Sequence, residues 1–352
     1  MRIGVPREVK PLEGRVGLIP AACAGLVKAG HEVFIESGAG EKSGYPDEQY
    51  LNVGVQVVED AASAYGNAEM VVKVKEPIAA DLEHIREDHL LFCYLHLAAV
   101  PELTRALCDI GCTAVAFETV EDAAGRLPLL APMSDIAGRL AVQVGTHLLH
   151  QPQGGKGILI GGIPAAKRGK VVILGGGVAG GNSAVVAAGL GAEVTVFDMD
   201  RDKLERARAI GANVTGLYPH IEDVAHAVAQ ADMVVGAVLV TGERAPHVVS
   251  EDMVRAMQPG SVVVDISVDQ GGCIETTRPT TYDAPTYVAH DVIHFTVTNM
   301  PGAVPRTASQ ALSAAIAPYA ERLATGDWRG HEGLVKGINV EAGKVVHPAL
   351  FK

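Results

Sequence analysis

The sequence is short of several things, and each shortage removes a class of protein. Aromatic residues make up only 4% of the 352 residues. The hydrophobic fraction of 48% is therefore mostly aliphatic. It is ample for a buried core and unlike the composition of a disordered chain. Cysteine is sparse and scattered. Cys23, Cys93, Cys108, Cys112 and Cys273 form no disulfide framework, and the one close pair, Cys108 and Cys112, lacks the second pair or nearby histidine of a zinc site. They read as reduced thiols, and no cluster at metal spacing is visible. Positive charge is in deficit, with 29 Lys and Arg against 41 Asp and Glu and a net of −12. Such a chain repels phosphate polymers, so no nucleic-acid partner is expected, although a local basic pocket can still hold one small anion. No apolar run approaches the roughly 18 residues that suggest a membrane span. The opening MRIGVPREVK is charged from Arg2 onward, unlike a secretory leader. The expectation is a cytoplasmic protein without membrane contact.

What is abundant is glycine, 40 residues, above an average of roughly 7%. Tight strand-to-helix turns need it. Aliphatic runs at Arg2–Val5, 31–36, 70–74, 90–94 and 113–117 read as strands, and the Ala/Leu-rich stretches 20–30 and 101–111 as helices. A second alternation begins at Lys170–Leu174 and continues with a helix over 178–190 and a strand at Glu193–Phe197. Further strands are expected at 233–235 and 261–266, with helices at 202–210, 223–230 and 250–257. Strand and helix in alternation imply βαβ units and parallel sheets. The fold class is therefore α/β: two doubly wound, Rossmann-like domains with parallel sheets, bridged by long helices. Those helices are expected at 135–149, with Ser134 as N-cap, and at 306–323, after which the chain returns to the first domain.

The strongest local signal is VVILGGGVAG, in which Gly175, Gly177 and Gly180 form G-x-G-x-x-G between a strand and a helix. Gly175 permits the sharp turn, Gly177 lets the backbone approach a pyrophosphate, and Gly180 lets helix and strand pack closely. The helix N-terminus then offers unpaired N–H groups to phosphate. An acid is expected roughly 20 residues further on, and Asp198 stands at the end of the next strand. A carboxylate there accepts from ribose hydroxyls and repels a 2′-phosphate, which favours NAD over NADP.

Charged residues punctuate the first domain. Arg15 follows the first strand, where a ligand carboxylate could be gripped bidentately, although position alone favours a solvated loop arginine. Lys75 ends VVKVKEP on the same side as Lys73, and is either an anion ligand or an exposed strand end. His96 closes LLFCYLHLAAV and is either a proton shuttle or a satisfied core histidine. Asp269, in VVVDISVDQGG, projects from the carboxyl edge of the second sheet, with Asp265 an alternative on spacing. An anion grip and a proton shuttle on one domain, with a dinucleotide and a carboxylate on the other, indicate hydride transfer on a small acid.

The segments MRIGVPREVKPLEGRVGLIP, VKVKEP, LHLA, LPLLAPMSDIAGRLA, GGGVAG, ADMVVGAVLVTG, VDISVDQGG and VTNMPGAVPRT, in that order over nearly the whole chain, closely resemble NAD-dependent L-alanine dehydrogenases. The resemblance implies reversible oxidative deamination of L-alanine to pyruvate and ammonium. It implies that Arg15 and Lys75 hold the substrate and that His96 and Asp269 are catalytic acid/base groups. As cofactor contacts it implies Ser134, Gly175, Gly177, Val178, Ala179, Gly180, Asp198, Lys203, Leu239, Val240, Ile266, Ser267, Val268, Asp269, Arg278, Val297, Thr298, Asn299 and Met300. His220 stands where the family often has serine. The implied domains are a discontinuous substrate domain, 1–128 plus 307–352, and an NAD-binding domain, 129–306. A homo-hexamer is also implied, with no metal. A related resemblance is to the NAD-binding subunit of proton-translocating transhydrogenase. A non-catalytic NAD sensor and an opine- or lysine-forming dehydrogenase are further alternatives.

Overall fold

A computed structural model describes residues 1–238 and 245–351. The chain divides into two compact units, 1–133 with 302–352, and 134–301.

The strands, in chain order, are β1 (Arg2–Val5), β2 (Glu32–Glu36), β3 (Gln56–Val58), β4 (Met70–Val72), β5 (Leu90–Cys93) and β6 (Thr113–Ala116) in the first unit. The second unit holds β7 (Lys170–Leu174), β8 (Glu193–Phe197), β9 (Val214–Leu217), β10 (Met233–Gly236), β11 (Val262–Asp265), β12 (Thr286–Ala289) and β13 (Val292–Phe295). The chain then adds β14 (Ile338–Glu341) and β15 (Lys344–Val345) to the first unit.

The first sheet has the order β15-β14-β6-β5-β4-β1-β2-β3 and the second β12-β13-β11-β10-β7-β8-β9. The winding is the same in both. The first strand of each unit lies centrally, the next two add on one side, and the chain then crosses to the other side of the first strand. All pairings within β1–β6 and β7–β11 are parallel, as is β11 with β13. The antiparallel additions β12–β13 and β14–β15 were not expected from the sequence. They are short, and two or four residues carry too little periodicity to be recognised.

The parallel strands are buried on both faces, which is why they are continuous aliphatic runs. Successive side chains point to opposite faces, and the second unit's core splits accordingly. Val171, Ile173, Val194, Val196, Val235 and Val264 join one cluster, and Val172, Leu174, Val234 and Val263 join the other. In the first unit, Val71, Leu91, Cys93, Ala114 and Ala116 form one cluster with Val340 of β14. Open α/β sheets bind ligands outside the carboxyl ends of the strands, where the winding reverses. That rule points to the loops after β1 and β4 in one unit and after β7 and β10 in the other.

One boundary needs correction. The helix expected from 135, capped by Ser134, runs over Ala131–Leu148. Ser134 thus lies inside the first turn and is not the cap. Pro132 is the better start signal, because a proline in the first helical turn sacrifices no bond. Among the described residues, no helix is long and apolar enough to cross a membrane.

Candidate active site

In the first unit, Arg15 sits in the loop after β1 and is buried, only 3% exposed. The reading of a solvated loop arginine is therefore wrong. A buried guanidinium requires a partner, and Glu13 supplies one. Arg15 Nε donates to Glu13 Oε1 at 2.7 Å, Nη2 to Oε2 at 2.5 Å, and the backbone N–H to Oε1 at 3.0 Å. Nη1 points to Met133 Sδ at 3.2 Å. Burial works against the charge, but Glu13 outweighs it and the guanidinium pKa is raised.

The neighbouring strand β4 ends at Val72, earlier than the run suggests. Lys73 then turns inward. It is 1% exposed, with Nζ 3.3 Å from Asp81 Oδ1 and 3.7 Å from Glu8 Oε2. Burial disfavours its charge, but Glu8 and Asp81 hold it protonated. Lys75 is only half-buried. Its Nζ lies 4.0 Å from Glu76 Oε2, and its backbone N–H donates to Glu8 Oε1 at 3.3 Å. Burial first, then the nearby charges of Arg15 and Lys10, push its pKa below the usual lysine range, against the pull of Glu76.

His96 follows β5, which lies beside β4 in parallel register, with Val72 opposite Phe92. Its backbone is left-handed, φ 52°, an uncommon conformation outside glycine. Glu118, just past β6, stabilises it by accepting the N–H groups of His96 at 2.6 Å and Leu95 at 3.1 Å. The imidazole Nδ1 lies 3.9 Å from both Glu76 Oε2 and Glu118 Oε1, beyond hydrogen-bond range. The ring meets Tyr94 edge-on at 5.8 Å, and Tyr94 is itself anchored by donating to Leu129 O at 2.6 Å. Arg15, Lys75 and His96 therefore all stand at carboxyl ends of adjacent parallel strands. Glu8, Glu13, Glu76 and Glu118, which the sequence reading passed over, hold them there. The available signal was local: an acid two positions before Arg15, one directly after Lys75, and one just past a buried strand.

In the second unit, Gly175 directly follows β7 with φ +95°, and a Cβ there would meet Ala237 O at 2.5 Å. A Cβ on Gly180 would sit 1.8 Å from Gly175 O, so that helix could not pack. Gly177 differs. Among the described residues, nothing lies within 4 Å of where its Cβ would be, so packing among them does not require glycine there. The open space lies at the N-terminus of the helix Val178–Gly189, and a dinucleotide pyrophosphate fits it. Val178 is exposed and Ala179 half-buried beside it. The helix is braced where Ser183 Oγ donates to Gly138 O at 2.8 Å and Asn182 Nδ2 to Asp135 Oδ1 at 2.7 Å, close to half-buried Ser134.

Asp198 is tied to the glycine turn. It accepts from Gly176 N–H at 2.7 Å and from Asp200 N–H at 2.8 Å, with Lys203 Nζ at 3.4 Å. His220 is exposed, caps no backbone group with its side chain, and lies 5.0 Å from the Tyr218 ring. After β11, the one-turn helix Ile266–Gln270 carries Ile266, Ser267, Val268 and Asp269. Asp265 is fully buried and accepts from Ser267 N–H, Cys273 N–H and Thr277 Oγ1 at 2.9, 3.0 and 2.8 Å. Asp269 is exposed. Of the two acids left open by spacing, Asp265 is thus a buried structural group and Asp269 the exposed one. Arg278 lies over the Tyr287 ring at 4.2 Å. Val297 and Met300 are buried, Thr298 exposed and Asn299 half-buried. Leu239 and Val240 lie outside the described residues.

Two doubly wound units, one with a dinucleotide-type glycine turn and the other with buried ion pairs at its strand ends, define a class: two-domain, dinucleotide-binding α/β proteins. The chain belongs to the alanine dehydrogenase/PNT family. The N-terminal domain of that family matches residues 4–137 and the C-terminal domain residues 141–348. Among similar proteins are alanine dehydrogenase of Geobacillus stearothermophilus, 48% identical over 99% of this chain and 95% of that one, and of Methanococcus maripaludis, 46% identical over 100% and 96%. A solved L-alanine dehydrogenase is 51% identical with a TM-score of 0.96, covering 99% of this chain and 98% of its own. The transhydrogenase from Sinorhizobium meliloti is 26% identical with a TM-score of 0.86, covering 99% and 100%.

Proposed function

We propose that this chain is an NAD-dependent amino-acid dehydrogenase that converts L-alanine, NAD and water into pyruvate, ammonium, NADH and a proton, reversibly. Family membership and full-length relatives named alanine dehydrogenase support the activity. The reading of the site rests on one observation, the buried Arg15 beside Lys75 and His96 at the carboxyl ends of β1, β4 and β5. In this reading 1–128 plus 307–352 is the substrate domain and 129–306 the NAD-binding domain.

Arg15, fixed by Glu13, pairs with the substrate carboxylate, and Lys75 adds a second cation at its reacting end. The glycine turn and Asp198 would hold NAD, which when bound would supply the hydride acceptor for Cα. The remaining steps change no oxidation state: a C–O bond forms, a C–N bond breaks, and each step needs protons moved. The imino acid takes up water, and the carbinolamine loses ammonia to give pyruvate. His96 accepts and returns these protons, its left-handed backbone pinned by Glu118, and Asp269 is the second acid/base group. Proton transfer by such positioned groups contributes about 10²–10⁴ in rate. Ser134, Val178, Ala179, Lys203, His220, Leu239, Val240, Ile266–Val268, Arg278 and 297–300 complete the cofactor contacts. The resemblance also supports a cytoplasmic homo-hexamer, which light scattering and cell fractionation test.

The test is NADH formation from L-alanine and NAD, run beside NADP, glycine, L-serine and D-alanine. Brisk reduction with L-alanine and NAD is expected. Tight NAD binding without alanine-dependent reduction would overturn the reading and favour nucleotide-to-nucleotide hydride exchange instead.

A further inference from the structure

Arg278 does not stand alone on its loop. It follows β11, on the carboxyl-end side of the second sheet where dinucleotides bind. Its guanidinium lies 4.2 Å above the face of Tyr287 on β12, well within cation–π range. The same tyrosine fixes the Arg278 backbone, whose N–H donates to Tyr287 Oη at 3.1 Å. That hydroxyl in turn donates to Thr276 O at 2.9 Å. On the other side of the peptide, Arg278 O accepts from Thr296 Oγ1 at 2.7 Å.

The Tyr287 ring has a second partner. His294 on β13 is its direct cross-strand partner, and the two rings stack at 4.9 Å and 19°. Cross-strand neighbours on one face are placed for such contact. The hydrogen bonds of His294 set its tautomer. Nδ1 lies 2.9 Å from Val292 O, an acceptor only, so Nδ1 carries the proton and Nε2 accepts from Thr276 Oγ1 at 2.8 Å. Burial also lowers the imidazole pKa, so Tyr287 has a neutral ring as one partner and a cation as the other. The antiparallel pair β12–β13 brings the two rings together, and Arg278 joins them through Tyr287.

We propose that Tyr287 is a positioning residue for the cofactor: seated on His294, it fixes both the guanidinium and the backbone of Arg278 so that the arginine meets the anionic dinucleotide pre-oriented. The inference rests on the reading of Arg278 as a cofactor contact. It assigns a function to a hairpin that the winding of the sheet does not require.

The test is NAD binding to the full chain without substrate, measured by calorimetry, followed by KM for NAD and kcat. Tyr287→Val keeps a strand-forming residue and removes ring and hydroxyl, and Tyr287→Thr replaces it should that variant not fold. Tyr287→Phe keeps the ring. We expect the Val variant to bind NAD about fivefold more weakly, the order of one cation–π contact, with kcat within about twofold of the parent on the same scale. The Phe variant should recover most of the loss. Arg278→Ala should weaken binding at least as much, and adding Tyr287→Val to it should cost little more, because the two act as one unit. Weaker binding in Arg278→Ala with parental binding in Tyr287→Val overturns the positioning role alone. Parental binding in Arg278→Ala overturns the cofactor contact and the positioning role with it. Full additivity of the two losses also overturns the positioning role.

Discussion

Glu13 grips the guanidinium of Arg15 with both carboxylate oxygens, from two residues away, in a pocket where the two side chains are 1% and 3% exposed. Removing one partner of such a pair leaves a buried charge uncompensated, which costs about 3–5 kcal/mol. Glu13→Ala is therefore expected to lower the melting temperature strongly and to raise KM for L-alanine and pyruvate. Glu13→Gln keeps one acceptor and should fall between. Parental KM values in a folded Glu13→Gln protein, with an unchanged melting curve, would remove the pair from both roles.

Lys75 carries a pH signature. Its pKa is lowered by burial, with Arg15 and Lys10 adding to the effect. A base with a depressed folded pKa is less favourably charged in the fold than in the unfolded chain. This penalty is fully present below the folded pKa and fades as pH rises through it toward the unfolded value. Substrate binding runs the other way, because the cation is lost over the same range. KM for pyruvate should thus rise on the alkaline side before an ordinary lysine would titrate. Lys75→Arg, which keeps its charge, should lack that limb. Lys75→Ala should lose about 10²-fold or more in kcat/KM, as for a lost preorganised cation. An identical alkaline profile in the arginine variant would exclude the role.

Asp198, the residue proposed to set cofactor choice, is tied to the glycine turn by accepting from Gly176 N–H. Asp198→Ala should weaken NAD binding and raise the kcat/KM ratio of NADP to NAD by about tenfold, the loss of one charge-assisted hydrogen bond and one repulsion. An unchanged ratio would show that discrimination lies elsewhere.

Two glycines in one motif should respond in opposite ways. Gly180→Ala forces a Cβ to within 1.8 Å of Gly175 O, so the folded chain itself should lose stability. At Gly177 the added methyl meets none of the described residues within 4 Å. Gly177→Ala should then melt within about 1 kcal/mol of the parent, the ordinary range for a non-clashing substitution, yet bind NAD much more weakly. Parental NAD affinity in Gly177→Ala would contradict a dinucleotide at that turn.

How much of this was legible follows from what each residue answers to. Gly175, Gly180 and Asp198 stand out because backbone geometry dictates the residue type at a fixed spacing. The strands β7 and β8 were read to the residue, because burial on both faces leaves unbroken aliphatic runs. Lys73 and Lys75 looked alike, since alternation puts them on one side, but β4 stops at Val72 and the next residues turn into different surroundings. Where a strand stops is a tertiary outcome. The burial of Arg15 was equally hidden, because a loop position reveals nothing about a bidentate partner. The hairpin β12–β13 was missed for its brevity, and with it the platform beneath Arg278.

The two units share one winding but have furnished its crevice differently. At the turn after β7 the lining is peptide N–H groups, whose charge is a fixed dipole. After β1 and β4 it is arginine, lysine and glutamate. Peptide dipoles do not titrate, whereas side chains do. On the proposed assignment of the two crevices, acidity acts as a dial on the grip of the smaller molecule while the seat built of peptide dipoles stays constant, so one polypeptide can keep its redox carrier loaded while substrate binding follows the proton concentration around it.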